Sequence, residues 1–269
     1  MLPSSNTPIN YTVGAELEFY LLSPEGNVIA DLESGKFPQK RYSVSSAYKV
    51  NLEHFLVSLE SFSVTQESGP CQYEVQFAPL SNYQELALRI NEFVQFSEVA
   101  ASNSGLQISF VPKPLEGFCG SSFHVHYSSP LFDPWGLVAN KGVVLMKRDA
   151  DNEYVLWAIG GMLERMAGDL EIFLPTEESK KRIEPWLNAP TKICWGRNNR
   201  STAIRIPDSK PKRIEHRVCG SDVNFEAALA AIVDAAEHGI NNRINPDEPI
   251  FGNAWEVKYN KPLLIQPTV

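Results

Sequence analysis

The chain predicts an α+β fold, in which strands with one charged face are covered on the other face by helices. Three observations lead there. Several short segments alternate apolar with charged residues, which is the period-two mark of a half-buried strand. Between them run segments with apolar residues at helical spacing. No internal repeat, low-complexity tract or long linker divides the 269 residues. A single domain over residues 1–269 is therefore expected, and 43% hydrophobic content is ordinary for a globular core.

The elements follow in order. TVGAELEFYLLSP sets Val13, Ala15, Leu17 and Phe19 against Gly14, Glu16, Glu18 and Tyr20, then stops at the turn Pro24-Glu25-Gly26. Tyr48, Leu52, Phe55, Leu56 and Leu59 predict a helix from about Ser46 to Phe62, capped by Ser45 or Ser46. CQYEVQFAP is a second alternating strand that points Glu74 and Gln76 one way and Tyr73, Val75 and Phe77 the other. A long helix from Asn82 to about Ser102 opens on a capping-box-like Ser81-Asn82-Tyr83-Gln84. LQISFVPKP and SSFHVHYSS predict two strands joined by a Pro/Gly-rich turn. A helix is expected from Asp151 to Leu174, then a polar loop PTEESKKRIEPWLNAP, and then strands around TAIRIP and RIEHRV. The Ala-rich segment DVNFEAALAAIVDAAEHGI predicts a last helix, capped by Asp222 and ended by Gly239.

Composition excludes several function classes. A formal net charge of −8 argues against a nucleic-acid or anionic-membrane surface. No apolar run approaches a membrane span, and MLPSSNTPIN lacks the basic and apolar regions of a signal peptide, so a soluble, cytoplasmic protein is expected. Cys71, Cys119, Cys194 and Cys219 stand far apart without C-x-x-C spacing and are expected as reduced thiols. Any metal would need oxygen and imidazole ligands.

Such ligands sit on the polar strand faces. Glu16 and Glu18 share one face; Glu67 and Glu74 bracket ESGPCQYE; His124 and His126 share a face in GSSFHVHYSSP; Arg213, Glu215 and Arg217 share another. Each pair alone is equally explained as a solvated strand face. Together, five carboxylates and an imidazole form a hard donor set suited to Mg²⁺ or Mn²⁺ and to phosphoryl transfer.

GAELEF, ESGPCQYE, FVPKP followed by GSSFHVH, PTEESKKR, NAP, NRSTAIRIP and RIEHR occur in the order and at nearly the spacing of the catalytic domain of glutamine synthetases. The chain resembles that family from about Val13 to Ile244. The resemblance implies a curved, mainly antiparallel sheet, a half-barrel backed by helices, of the kind shared with guanidino kinases. It implies that Glu18, Glu67 and Glu74 hold one divalent cation and that Glu16, His124 and Glu215 hold a second. It places His126, Arg200, Arg205 and Arg213 at the ATP phosphates, with Arg200 and Arg205 also catalytic. Arg182 and Arg217 would clamp the substrate carboxylate beside Gly120 and Cys119. Arginine suits both phosphate and carboxylate because its planar fork donates two parallel hydrogen bonds.

The chain departs from the family pattern in three places. It starts almost at the first catalytic strand, where the family has an N-terminal β-grasp domain that completes a neighbour's site. Asn188, before Ala189-Pro190, replaces a flap glutamate that shields the intermediate and takes a proton from the attacking amine. Cys119 replaces an asparagine, and is either a small buried filler or a specificity residue. The expected activity is an ATP-dependent carboxylate–amine ligase working through an acyl-phosphate. Its acid would be glutamate or a relative, and its amine something other than simple ammonia. A small-molecule kinase and a non-catalytic nucleotide-binding relative are the alternatives. A monomer or small homo-oligomer is expected, with a partner chain as one source of the missing wall.

Overall fold

In a computed structural model describing residues 9–32, 42–132, 152–256 and 261–264, the charged-face segments assemble edge to edge into one sheet. Strand β1 (Thr12–Leu22) lies near its centre, paired antiparallel with β5 (Gln72–Leu80), β7 (Phe123–Ser128) and the short β6 (Gln107–Ser109). Beyond β5 lies β4 (Ser63–Gln66). Beyond β7 lie β10 (Ile214–His216), β9 (Ile204–Ile206) and β8 (Trp195–Arg197). Only the β8–β9 pair is parallel among the described strands of this mainly antiparallel sheet. A separate two-stranded ribbon joins β2 (Ala30–Leu32) to β3 (Tyr42–Val44).

One face of the sheet is apolar and carries helices. Phe19 of β1 stacks on Tyr73 of β5 and meets Phe55, Phe93 and Phe110. These rings come from α1 (Lys49–Ser58), α2 (Tyr83–Asn103) and the segment after β6. Each such buried side chain contributes about 1.5–3 kcal/mol by leaving water. Behind β7, Phe123 packs on Phe225 at the start of α6 (Phe225–Asn242). Alongside α6 runs α3 (Glu153–Arg165).

Several element ends differ from expectation. Helix α1 is shorter than predicted and has no side-chain cap; Ser45 instead accepts the Tyr48 N–H in the turn before it. Asn82, not Ser81, caps α2 by accepting the Glu85 N–H. The helix expected from Asp151, which lies outside the described residues along with the first eight, begins at Glu153 capped by Asn152. It breaks at a turn around Gly168 and resumes as α4 (Leu170–Phe173). Part of the expected polar loop forms α5 (Glu177–Lys181), closed by a Thr176–Ser179 capping box. Asp222 accepts the Thr176 and Ser179 hydroxyls, so the cap of α6 passes to Asn224. Gly239 lies inside α6, which ends at Arg243 in the left-handed conformation.

Gly239 serves the crossing of α6 over α3 instead. A methyl built there would stand 2.0 Å from the Trp157 carbonyl oxygen and 2.6 Å from the Gly161 nitrogen. The two backbones therefore touch directly.

Candidate active site

Register places the polar side chains. Glu18 is opposite Glu74 and Glu16 opposite His124; His126 is opposite Glu215, and Glu215 opposite Arg205. Partners across an antiparallel ladder share a face, as do residues two apart on one strand. Five strands, β1, β5, β7, β9 and β10, thus deliver carboxylate, imidazole and guanidinium to one side of the sheet. Glu67 joins from the loop after β4, where its N–H donates to the Gln72 carbonyl.

Two clusters result. Glu18, Glu67 and Glu74 present ligand atoms within 4.8 Å of one another, and so do Glu16, Glu74 and His124. Glu74 belongs to both. The first cluster contains the three residues expected together. In the second, Glu74 stands where Glu215 was expected, for a visible reason: Arg217 and Arg205 each donate to one oxygen of Glu215, the latter at 2.6 Å. Glu215 nonetheless remains 3.9 Å from His124 Nδ1.

The electrostatics match a site prepared for cations. Burial, reinforced by Glu67, pushes Glu18 up to about 8. Burial and the neighbouring Glu16 push Glu74 up to about 8. Burial opposes ionisation of Glu16 too, but hydrogen bonds from His124 and His126 outweigh it and hold this carboxyl well below the usual range. Glu215 is held at about 2, because Arg217, His124, His126 and Arg205 together overcome its burial. Burial and then Arg217 lower His124 to about 4, which leaves a neutral imidazole, and its buried Nε2 has no partner among the described residues. Crowded, desolvated carboxylates beside a neutral imidazole with an orphaned nitrogen fit a hard divalent cation.

The arginines divide by position. Arg217 and Arg200 line the cleft with Glu18, Glu67, Glu74, His124, Gly120, Cys119 and Asn188. Arg213 Nε donates to His126 Nδ1 at 3.2 Å, and the other face of that imidazole lies 2.9 Å from Glu16. Arg182, expected at the substrate carboxylate, lies behind the cleft wall. Its guanidinium donates to the Ser122 hydroxyl and to the Val218 and Cys219 carbonyls. A methyl on Gly120 would stand 2.3 Å from its Cγ and from the Pro112 carbonyl oxygen, so the wall closes only over glycine.

A family model described as "Glutamine synthetase, catalytic domain" matches residues 4–268. The chain belongs to that family. Among curated relatives, gamma-glutamylputrescine synthetase PuuA of Escherichia coli K12 is 29% identical over 91% of this chain and 54% of its own length. Glutamine synthetase of Pyrococcus woesei is 30% identical over 93% of this chain and 56% of its own. The chain thus spans just over half the length of these relatives. A solved structure described as apo GmaS without ligand superposes with a TM-score of 0.73 at 22% identity, covering 96% of this chain and 61% of that one, which shows a shared fold.

Within this glutamine synthetase catalytic domain, two departures from the family pattern meet. Asn188 Nδ2 lies 3.5 Å from Cys119 Sγ and 3.5 Å from Ser68 Oγ, while its carbonyl accepts from Arg217. Asn188 has φ +63, a conformation asparagine tolerates better than glutamate. Cys119 is buried, and desolvation pushes its thiol up to about 12. Sequence reasoning missed Gln72 and Tyr20. Gln72 shares the strand face of Glu74, a signal that was available, whereas Tyr20 acts through its hydroxyl on the Cys119 carbonyl, 2.7 Å away.

Proposed function

We propose that the chain is the catalytic module of an ATP- and Mg²⁺- or Mn²⁺-dependent carboxylate–amine ligase. The γ-phosphoryl group of ATP passes to a substrate carboxylate, giving ADP and an acyl-phosphate. An amine then attacks the acyl carbon and phosphate leaves, forming an amide. The observation that carries this reading is the pair of carboxylate clusters sharing Glu74, with Arg200 and Arg217 lining the same cleft.

Divalent cations, when bound, would neutralise charge on both sides of an in-line phosphoryl transfer. Glu18, Glu67 and Glu74 would hold one. Glu16 and His124 would hold the other, with Glu215 beside them. Arg200 and Arg205 would meet phosphate oxygens in the transition state, and Arg213 with His126 would orient the nucleotide phosphates. Arg217 is the residue for the substrate carboxylate, since it lines the cleft, and Arg182 supports it by holding the Gly120 wall from behind. Glutamate is the proposed acid, consistent with the names of the relatives.

The Asn188–Cys119 contact supports an amine other than ammonia. Asparagine keeps a hydrogen-bonding side chain over the cleft but supplies neither charge nor base, so an ammonium ion gains little there. The test is calorimetric titration of Mg·ATP and Mn·ATP into the wild type, Glu16→Ala and His124→Ala, followed by ADP release with glutamate and a panel of amines. Metal-dependent ATP binding that both substitutions abolish, with ADP release that needs an amine, is the expected result. No ATP binding defeats the proposal, and a stable phosphorylated product without amine turns it into a kinase.

A further inference from the structure

Beside the first carboxylate cluster, lining the same cleft, lies an amide to which the sequence reading gave no role. Gln72, 1% exposed, is the β5 residue opposite Tyr20 of β1. Its Oε1 accepts the Gly69 N–H at 2.9 Å. Its Nε2 donates to Glu18 Oε2 at 3.3 Å and to the Gly120 carbonyl at 3.1 Å. The Gly69 N–H can only donate, so Oε1 must face it. Both amide hydrogens are then committed to the two acceptors.

This one side chain thereby ties together three parts of the cleft: the Glu67–Gly69 loop, the Glu18 carboxylate and the Gly120 wall. Its effect on Glu18 is directional. Oε2 of Glu18 also accepts the Ser122 N–H at 2.9 Å. Among the described residues no hydrogen bond reaches the other oxygen. Two donors thus pin one oxygen and leave the second for the cluster with Glu67 and Glu74.

We infer that Gln72 is a positioning residue for the candidate cation site, fixing which oxygen of Glu18 faces the cation and holding the Glu67 loop and the Gly120 wall at a set separation around it. The inference rests on the metal-dependent reading above. Groups that orient metal ligands from behind set affinity: their loss weakens metal binding by about ten- to a hundredfold. Tyr20 offers an internal comparison, because its hydroxyl donates to the Cys119 carbonyl on the same wall and makes no hydrogen bond to a cluster carboxylate.

The experiment measures Mn²⁺ affinity of the full chain by electron paramagnetic resonance of free Mn²⁺, with folding followed by circular dichroism. Gln72→Met keeps the length and removes the donors; it is expected to raise the Mn²⁺ Kd by about ten- to a hundredfold. Tyr20→Phe is expected to lower thermal stability while moving that Kd by less than about twofold, since it leaves every ligand-orienting bond in place. An unchanged Kd in Gln72→Met, or an equal loss in Tyr20→Phe, overturns the inference. If Gln72→Met does not fold, Gln72→Glu carries the test, because it sets an acceptor against two acceptors, and wild-type affinity there is equally fatal. Independently of any variant, Mg²⁺ added to the wild type should shift the Gln72 side-chain amide resonances, and resonances that stay still count against the idea. A wild type that binds no Mn²⁺ sinks the metal reading itself; a wild type that binds beside an unaffected variant sinks only the role of Gln72.

Discussion

Replacing Gly239 by alanine tests whether α6 and α3 touch through their backbones. Glycine inside a helix is about 1 kcal/mol less favourable than alanine, so propensity alone predicts a more stable protein. Geometry predicts the reverse. The new methyl would stand 2.0 Å from the Trp157 carbonyl oxygen, where ordinary contact begins at 3.4 Å, so the helices would have to separate by roughly 1.4 Å. No rotamer change relieves a clash with backbone. Overpacking of this kind costs about 3 kcal/mol at the upper end of the usual range, leaving a net loss near 2 kcal/mol after the propensity gain. For a chain of this size that lowers Tm by about 4–8 °C. Gly168→Ala is the control: its methyl would lie 3.4 Å from the Arg165 carbonyl oxygen, in a turn, and stability should change by less than about 0.5 kcal/mol. Urea and thermal unfolding of both variants decide the matter. A Gly239→Ala protein as stable as the wild type would show that the crossing is looser than described.

Two further outcomes follow from the cleft. The Glu18 carboxyl is raised from 4.5 to about 8 in the fold, so its contribution to stability is present below about pH 4.5 and is lost as pH rises through about 8. The rise in Tm on adding Mn²⁺ should therefore grow between pH 6 and pH 8.5, measured by differential scanning fluorimetry, and a rise independent of pH would contradict it. Asn188→Glu should increase kcat/KM for ammonium relative to larger amines by about tenfold, because it adds a charge and a base over the cleft, at about 1 kcal/mol of strain from the left-handed backbone. An unchanged amine preference would show that position 188 does not read the amine.

Much of the site was legible because a strand forces residues two apart onto one face. E-x-E, H-x-H and R-x-E-x-R therefore group on the sequence alone. Pairing between strands was not legible, since it depends on register set by packing of segments far apart in the sequence. That is why Glu74 as a member of both clusters, and the double engagement of Glu215 by Arg205 and Arg217, emerged only from the fold. The resemblance alone assigned Arg182 to the substrate carboxylate, and sequence does not show that buried carbonyls satisfy its guanidinium instead. The strands β4 and β8 escaped notice because they are short, and β4, largely exposed, carries a single apolar residue, Val64. Gly239 was read as a helix stop because local sequence cannot distinguish a glycine that ends a helix from one that lets another helix approach.

The register of β5, β1, β7 and β10 has a consequence for how this chain must be made and kept. Residues 16, 18, 74, 124 and 215 are strangers along the polypeptide and become neighbours only when four strands are aligned without error. A slip of one residue in β1 would send both glutamates into the apolar layer and bring Leu17 to the cleft. The cluster of Glu16, Glu74 and His124 draws on three of these strands, so capture of a cation there would report that β5, β1 and β7 have closed in the right alignment. An ion bound there would mark molecules whose strands are correctly aligned as well as take part in chemistry.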